Sequence, residues 1–408
     1  MKYVDNGPKP VKKIELNEKN VKLRFILFIL SFLVVVACAI LIFVNLFKKE
    51  SGFTTIEAYP TINMQNDFVF SYDVGNTDLS ITEEINNLSN KYTSLLEFSY
   101  IQFDIYADHD QKNINYINNH INQDIQISEL LYDSIEDVVN ENEKLLYLAP
   151  IYAYYNDMFS TELDLNMLDP YQNINVQNYF KDILDYINSN SIKINLLSNN
   201  TINLYVSEDY INYLNENDVF YYIDFGFLKN SFIIDYIAEN LLLAGYNKGN
   251  IKSYDGYFVN LDSSLDYNFV IDVLDNVNNF GSRVCNFTVK GKTSVVQFRN
   301  FMYYQNDIYR YVKMPDNSYR HIYIDYNDGL SKSSTNSLTS YSTELSCSEI
   351  ALKTYRGFIS DNFSLATTDQ IKQVWIVNTS IYYNDQSISL QNLYDINNVK
   401  YEGVMVND

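Results

Sequence analysis

Ile223–Gly245 reads IDFGFLKNSFIIDYIAENLLLAG, and its change of character along its length decides the fold. Asp224 and Gly226 mark a turn, since an aspartate side chain accepts bonds from nearby amides and glycine tolerates left-handed backbone. From Ser231 onward the apolar residues recur at helical spacing, and Ala244-Gly245 ends the segment as a left-handed C-cap would. Upstream, IKINLL (Ile192–Leu197), TINLYVS (Thr201–Ser207) and VFYYIDF (Val219–Phe225) read as short strands between Asn- and Ser-rich turns. Downstream, YNFVIDVLD (Tyr267–Asp275), NFTVKG (Asn286–Gly291), TSVVQFR (Thr293–Arg299), DIYRYVKM (Asp307–Met314) and RHIYIDY (Arg320–Tyr326) form a succession of strands. Earlier in the chain FVFSYDV (Phe68–Val74) alternates like a strand, and helical spacing runs through Ile81–Phe98 and Ile127–Tyr155. Ser80, Thr82 and Ser128 are capping candidates, and Pro150 is a bend or stop. Helical patterning returns at Ser346–Tyr355 and near Thr368–Gln373, before a last strand VWIVNTS (Val374–Ser380). A strand-rich centre with separate helices is an α+β plan.

Phe25–Phe47 (FILFILSFLVVVACAILIFVNLF) carries no charge, which suits a helix of about 20 residues crossing a hydrocarbon core. Lys2, Lys9, Lys12, Lys13, Lys19, Lys22 and Arg24 precede it and only Lys48 and Lys49 follow closely, so the basic flank is expected in the cytoplasm and the bulk of the chain outside. Lipoprotein processing at Cys38 competes with an uncut anchor, but the apolar run continues past that residue. The expected organisation is a cytoplasmic tail at 1–24, a transmembrane helix at 25–47, a linker at 48–66 containing Gly52 and Pro60, and one extracytoplasmic domain at 67–408.

A formal net charge of −22 argues against nucleic acid as a partner, since neutralising phosphates needs clustered Lys and Arg. Cys285 and Cys347 leave a disulfide open, and neither has spacing suited to zinc. Of three histidines, His321 alone lies where a strand meets a turn rich in acids, RHIYIDYNDG (Arg320–Gly329). It reads either as a general acid or base or as a strand residue with no role, and Asp328-Gly329 reads as a tight turn or as part of a site.

SYRHIYIDYNDG (Ser318–Gly329) resembles the DxxHIIDPxTG segment of the ApbE family, the FAD:protein FMN transferases, with one extra residue between histidine and aspartate. IDFGFLKNSFIIDYIAENLLLAG resembles that family's DLGGIAKGYAVDxxAxxLxxxG, matching at Asp224, Gly226, Asp235 and Ala244-Gly245. SYDGYF (Ser253–Phe258) stands where the family has NxGGxI and keeps Gly256. QNDIYRY (Gln305–Tyr311) resembles SGDYERY and keeps Asp307, Arg310 and Tyr311. NSLTSYSTELSCSEIALKTY (Asn336–Tyr355) and the tail from Ile371 occupy the places of the family's later strands and helix. The order is collinear from about Asp67 onward. The resemblance implies an ApbE-like (T-fold-like) α+β domain of mixed helices and antiparallel sheet after one transmembrane helix. It also implies FAD and Mg²⁺ as cofactors and a protein acceptor flavinylated on Thr or Ser. By it, His321 and Asp325 would be catalytic. Asp224, Gly226, Lys229, Asp255, Gly256, Asp307 and Arg310 would bind cofactor, and Glu349 and Asp328 would bind metal.

The same alignment exposes departures. Phe227 and Ser231 stand at family glycines, where a Cβ would meet the ligand. Asn230 holds the family lysine position with Lys229 one place earlier, and Lys353 replaces a metal-ligating threonine four residues after Glu349. An ammonium cannot ligate a cation, so Glu349 and Lys353 read instead as an exposed i,i+4 pair. Two functions follow: a membrane-anchored FMN transferase, or a catalytically inactive flavin- or protein-binding module at the cell surface. Both require Asp224, Arg310 and His321 to converge on one pocket.

Overall fold

The computed structural model describes residues 20–46, 51–62, 64, 67–160 and 164–402; most of the expected cytoplasmic tail and part of the expected linker lie outside them. The chain divides into two compact units, Met1–Ser51 and Gly52–Asp408. The first contains one helix, Val21–Leu46, whose 26 residues extend about 39 Å against a hydrocarbon core of about 30 Å. Over Val21–Ile40 its mean hydropathy is 2.8, long and apolar enough to cross a membrane, a property that signal sequences share.

The second unit is built on a nine-stranded sheet. Its strands, Gly52–Ile56, Phe68–Val74, Gly249–Ser253, Tyr257–Asn260, Thr293–Arg299, Ser337–Ser342, Lys372–Val377, Ser380–Tyr383 and Asn398–Tyr401, lie side by side in chain order. Every neighbouring pair is antiparallel except the last, which is parallel. Chain-order pairing leaves each long connection free to become an insertion. The segment between the second and third strands supplies most of the helices and a small three-stranded sheet; the segment between the fourth and fifth supplies the hairpin Asn268–Val277/Phe280–Lys290.

This sheet is covered on both faces. Val296, Phe298 and Trp375 join the core that includes the helices Lys229–Leu243 and Cys347–Phe358. Val295, Val374 and Ile376 pack with Phe269, Val273 and Phe287 of the hairpin. Period-two alternation thus sends both sets of side chains into apolar surroundings, and Thr293–Arg299 is buried at every position. Asp235, from the first of the two helices, accepts the Cys347 and Ser348 amides at 2.9 and 2.7 Å, which caps the second helix.

Ser80 and Ser128 cap their helices as expected, and Gly245 ends its helix with φ of +86°. Several expectations fail. Gly52–Ile56, assigned to the linker, is the sheet's edge strand, paired with Phe68–Val74. Val219–Phe225 joins no sheet, because the Asn118 side chain bonds the Tyr222 and Ile223 amides and the Ile223 carbonyl, the groups a neighbouring strand would engage. Thr368–Gln373 forms no helix; the strand begins at Lys372. Cys285 and Cys347 are buried free thiols, each in a different core.

Arg299 closes its strand at 1 % exposure. Nη2 donates to Asp307 and to the Tyr254 carbonyl, and the guanidinium lies 5.3 and 5.5 Å from the Tyr304 and Tyr311 ring centres. Asp307 also accepts the Tyr303 and Tyr304 amides. Removing one member strands the other charge in the interior. Asp307→Ala is therefore expected to lower the unfolding free energy by about 3–5 kcal/mol, read from urea titration of the detergent-solubilised chain by fluorescence of its single tryptophan, Trp375.

Candidate functional site

The turn at Asp224–Asn230 faces a cleft of about 170 Å³ lined by Asp67, Tyr100, Phe103, Tyr106, Tyr152, Asp224, Gly226, Lys229, Asn230, Asp255, Arg310 and Ile322, among others. Separate elements bring these together. Asp67 precedes the strand Phe68–Val74, and Asp255 sits in the turn between Gly249–Ser253 and Tyr257–Asn260. Arg310 follows the short helical turn Gln305–Tyr309. Tyr100 lies near the end of the helix Ile81–Gln102, and Tyr152 comes from Ala149–Ser160.

Within the cleft the charges are unequally satisfied. Arg310 pairs with Asp67 through Nη2, while its Nη1 is buried without a partner. Asp255 accepts from Asn230 at 2.8 Å and from the Ser253 hydroxyl. Asp224 accepts the Gly226 amide at 3.2 Å. Burial raises the Asp224 carboxyl above its ordinary range and lowers the Lys229 ammonium, each charge partly relieving the other. The Lys229 Nζ stands 4.5 Å from the Tyr100 ring centre.

Gly226 has φ of +53°, and a Cβ there would lie 2.4 Å from the Tyr152 ring. The close approach that glycine permits is thus made by the protein's own tyrosine. Phe227, next along, is buried against Phe298 and Tyr323, and its carbonyl accepts the Tyr257 hydroxyl at 2.7 Å. Gly256, with φ of +111°, would place a Cβ 2.2 Å from the Gln297 carbonyl, so its role is contact between strands.

The structure therefore brings Asp224, Gly226, Lys229, Asp255 and Arg310 to one cleft and places the other candidates elsewhere. His321 pairs with Tyr311 across a short hairpin, and the following residue, Ile322, is the one that lines the cleft. His321 instead borders a separate open groove beside Asn300, Ser333 and Asn336. It is 3 % exposed, with its amide and Nδ1 both bonded to the Ser331 hydroxyl, at 2.8 and 2.9 Å. Burial, with Arg320 adding to it, pushes its pKa from 6.5 down to about 3. An imidazole of that pKa holds no proton to give as a general acid near neutrality and is a weak general base. Asp325 and Asp328 are both bound to Lys332, at 3.1 and 2.6 Å. Asp307 is held by Arg299. Glu349 accepts the Ser346 amide at 2.8 Å and so caps its own helix; among the described residues it forms no ion pair with Lys353. Nor, among the described residues, do any three His, Cys, Asp or Glu side chains gather as a metal site.

Sequence reading missed Asp67, Tyr100 and Tyr152 as parts of the cleft. The two tyrosines sit in helical runs where an aromatic residue signals core, and Asp67 carries no motif beyond standing before a strand.

No protein-family model and no curated protein matches the sequence. Solved structures do. The ApbE protein of Thermotoga maritima superposes with a TM-score of 0.52 at 12% identity, over 79% of this chain and 94% of that one. The flavin transferase ApbE of Vibrio cholerae gives 0.54 at 12%, over 84% and 97%. The flavinyl transferase ApbE of Pseudomonas stutzeri gives 0.50 at 11%, over 86% and 96%. The chain has an ApbE-like α+β fold.

Two measurements probe this geometry. Gly245→Ala, where a Cβ meets nothing within 4 Å, is expected to cost about 1–2 kcal/mol for the left-handed backbone. Gly226→Ala should cost about 1–3 kcal/mol more because the Tyr152 ring must move, an excess that disappears in a Tyr152→Ala background; urea midpoints decide it. For His321, the unfolded chain takes a proton below pH 6.5 and the folded chain does not until about pH 3. Its contribution to stability is complete above pH 6.5 and is lost as pH falls toward 3. His321→Gln removes this slope, so the stability gap between wild type and variant should narrow by about 2 kcal/mol from pH 7 to pH 5.

Proposed function

We propose that this chain is a membrane-anchored, extracytoplasmic binding module with an ApbE-like fold that does not transfer FMN. The observation that carries this reading is the Tyr152 ring packed over Gly226, which occupies the space where the family resemblance would seat flavin. Its consequences agree. The cleft of about 170 Å³ is smaller than the roughly 300 Å³ at which ligand pockets for drug-sized molecules begin, and a dinucleotide is larger still. For Mg²⁺ the donors do not fit: Lys353 stands at one ligand position, Glu349 caps its own helix and Asp328 is neutralised by Lys332. The residues present therefore fit neither FAD nor the metal, and no chemical step is assigned through them. The apolar helix Val21–Leu46, with the basic residues before it, supports a single-pass anchor with the larger unit outside and a protein partner within reach of the membrane surface.

The transferase reading keeps one observation in its favour, the convergence of Asp224, Lys229, Asp255 and Arg310 on a single cleft. Incubating the purified full chain in detergent with FAD, Mg²⁺ and a threonine-bearing acceptor peptide separates the two. The expected outcome is no covalent flavin on the peptide and no AMP. Flavinylated peptide with equimolar AMP would establish the transferase instead.

A further inference from the structure

We infer that the cleft beside Asp224 binds a small zwitterion of the α-amino-acid class, its carboxylate received by Lys229 and Arg310 and its ammonium by Asp224. The inference rests on the reading that this cleft is closed to flavin, and it identifies what the remaining space accepts.

Two of the charged groups in the cleft are already answered. Asp67 is paired with Arg310 Nη2, and both oxygens of Asp255 accept hydrogen bonds, from Asn230 and Ser253. Three functions remain unanswered. Arg310 is 8 % exposed, yet its Nη1 has no partner. Lys229 forms no close ion pair among the described residues; its ammonium lies over the face of Tyr100, with Asp224 near enough to relieve its charge only in part. Asp224 has the Gly226 amide and, among the described residues, no cation at pairing distance, the Lys229 charge relieving it in part. Leaving a buried charge without a partner is costly, so these groups amount to binding energy held in reserve for a ligand that supplies the opposite signs.

The sign pattern selects the ligand. A simple anion would satisfy Arg310 and Lys229 but lie against Asp224 uncompensated, and a simple cation would meet the reverse. A molecule with a carboxylate and an ammonium two bonds apart answers all three at once. The guanidinium fork suits a carboxylate, and an ammonium near Asp224 would also face the aromatic walls, Tyr106 and Tyr152. The opposed shifts of Asp224 and Lys229 come first from burial, which the charge of each only partly offsets for the other. A volume of about 170 Å³ limits the ligand to a free amino acid or a molecule of similar size.

Calorimetric titration of the detergent-solubilised full chain with each of the common L-amino acids, acetate, inorganic phosphate and FAD tests this. At least one amino acid should saturate, and its N-acetyl and methyl-ester derivatives should bind at least tenfold more weakly. Lys229→Met and Asp224→Asn should each weaken it by roughly tenfold to a hundredfold without lowering the melting temperature of the ligand-free protein. The inference is overturned if no amino acid saturates by about 10 mM, if the blocked derivatives or acetate or phosphate bind as tightly, or if folded variants bind like wild type. The derivative comparison uses wild-type protein and stands even where a variant fails to fold. Saturable FAD binding would overturn the underlying reading of the cleft; absence of both FAD and amino-acid binding would overturn this inference alone.

Discussion

The contact between Gly226 and Tyr152 is the constraint on which the functional argument depends. A left-handed glycine lets the chain pass from the irregular segment before it into the helix Lys229–Leu243 within one turn. The same missing Cβ gives the Tyr152 ring its seat. Once that ring is in place, the backbone at Gly226 faces a tyrosine rather than open space. The cleft that remains is small, rich in charge and walled by aromatics. Fold and site are thus set by one local event, since the turn that starts the helix also fixes which side chains border the cavity.

The central strands of the sheet, buried on both faces, constrain this arrangement. Thr293–Arg299 has no solvent face, so its polar members must find partners inside. Gln297 reaches the Asp272 carbonyl and the Thr339 hydroxyl, and Arg299 reaches Asp307. Buried pairs of this kind contribute little net stability compared with apolar packing, but breaking them is costly, which restricts the register of neighbouring elements. Arg310 lies three residues beyond Asp307 and is oriented by that restriction. Its ion-pair partner, Asp67, joins the start of the second strand to the same cluster.

Much of the fold was legible because its signals are local. Alternation marks Phe68–Val74 and Thr293–Arg299, serine caps mark the helix starts, and Gly245 marks a helix end. Expectations failed where tertiary contacts replace local ones. Val219–Phe225 has strand composition, but a single asparagine from a distant helix takes the bonds a strand would make. His321 carried the strongest chemical signal in the sequence, yet the alternation of successive side chains gives the cleft Ile322 and turns the imidazole toward Ser331. Of the cleft's charged residues, Asp224, Lys229, Asp255 and Arg310 were legible from collinear order and Asp67 was not. Tyr100 and Tyr152 were not, because a helical aromatic that borders a cavity has the same sequence context as one in the core.

The residues that match the family resemblance and those that depart from it divide by physical role. Gly226 is needed for its backbone and Gly256 for its nearness to Gln297, Asp235 caps the helix that begins at Cys347, and Asp307 neutralises a buried arginine. Each is explained by architecture without any ligand. The departures, Phe227, Asn230 and Lys353, fall where the resemblance would place flavin or metal contacts. Phe227 fills core space against Phe298 and Tyr323, and Asn230 holds Asp255. A chain that keeps the groups its fold requires and spends the others on packing can hold an ApbE-like architecture at 11–12% identity while its cleft answers to different chemistry. What that cleft still presents is Asp224 and Lys229, neither in a close ion pair among the described residues, and one nitrogen of Arg310 without a partner, and those three groups, rather than the inherited fold, define what it binds.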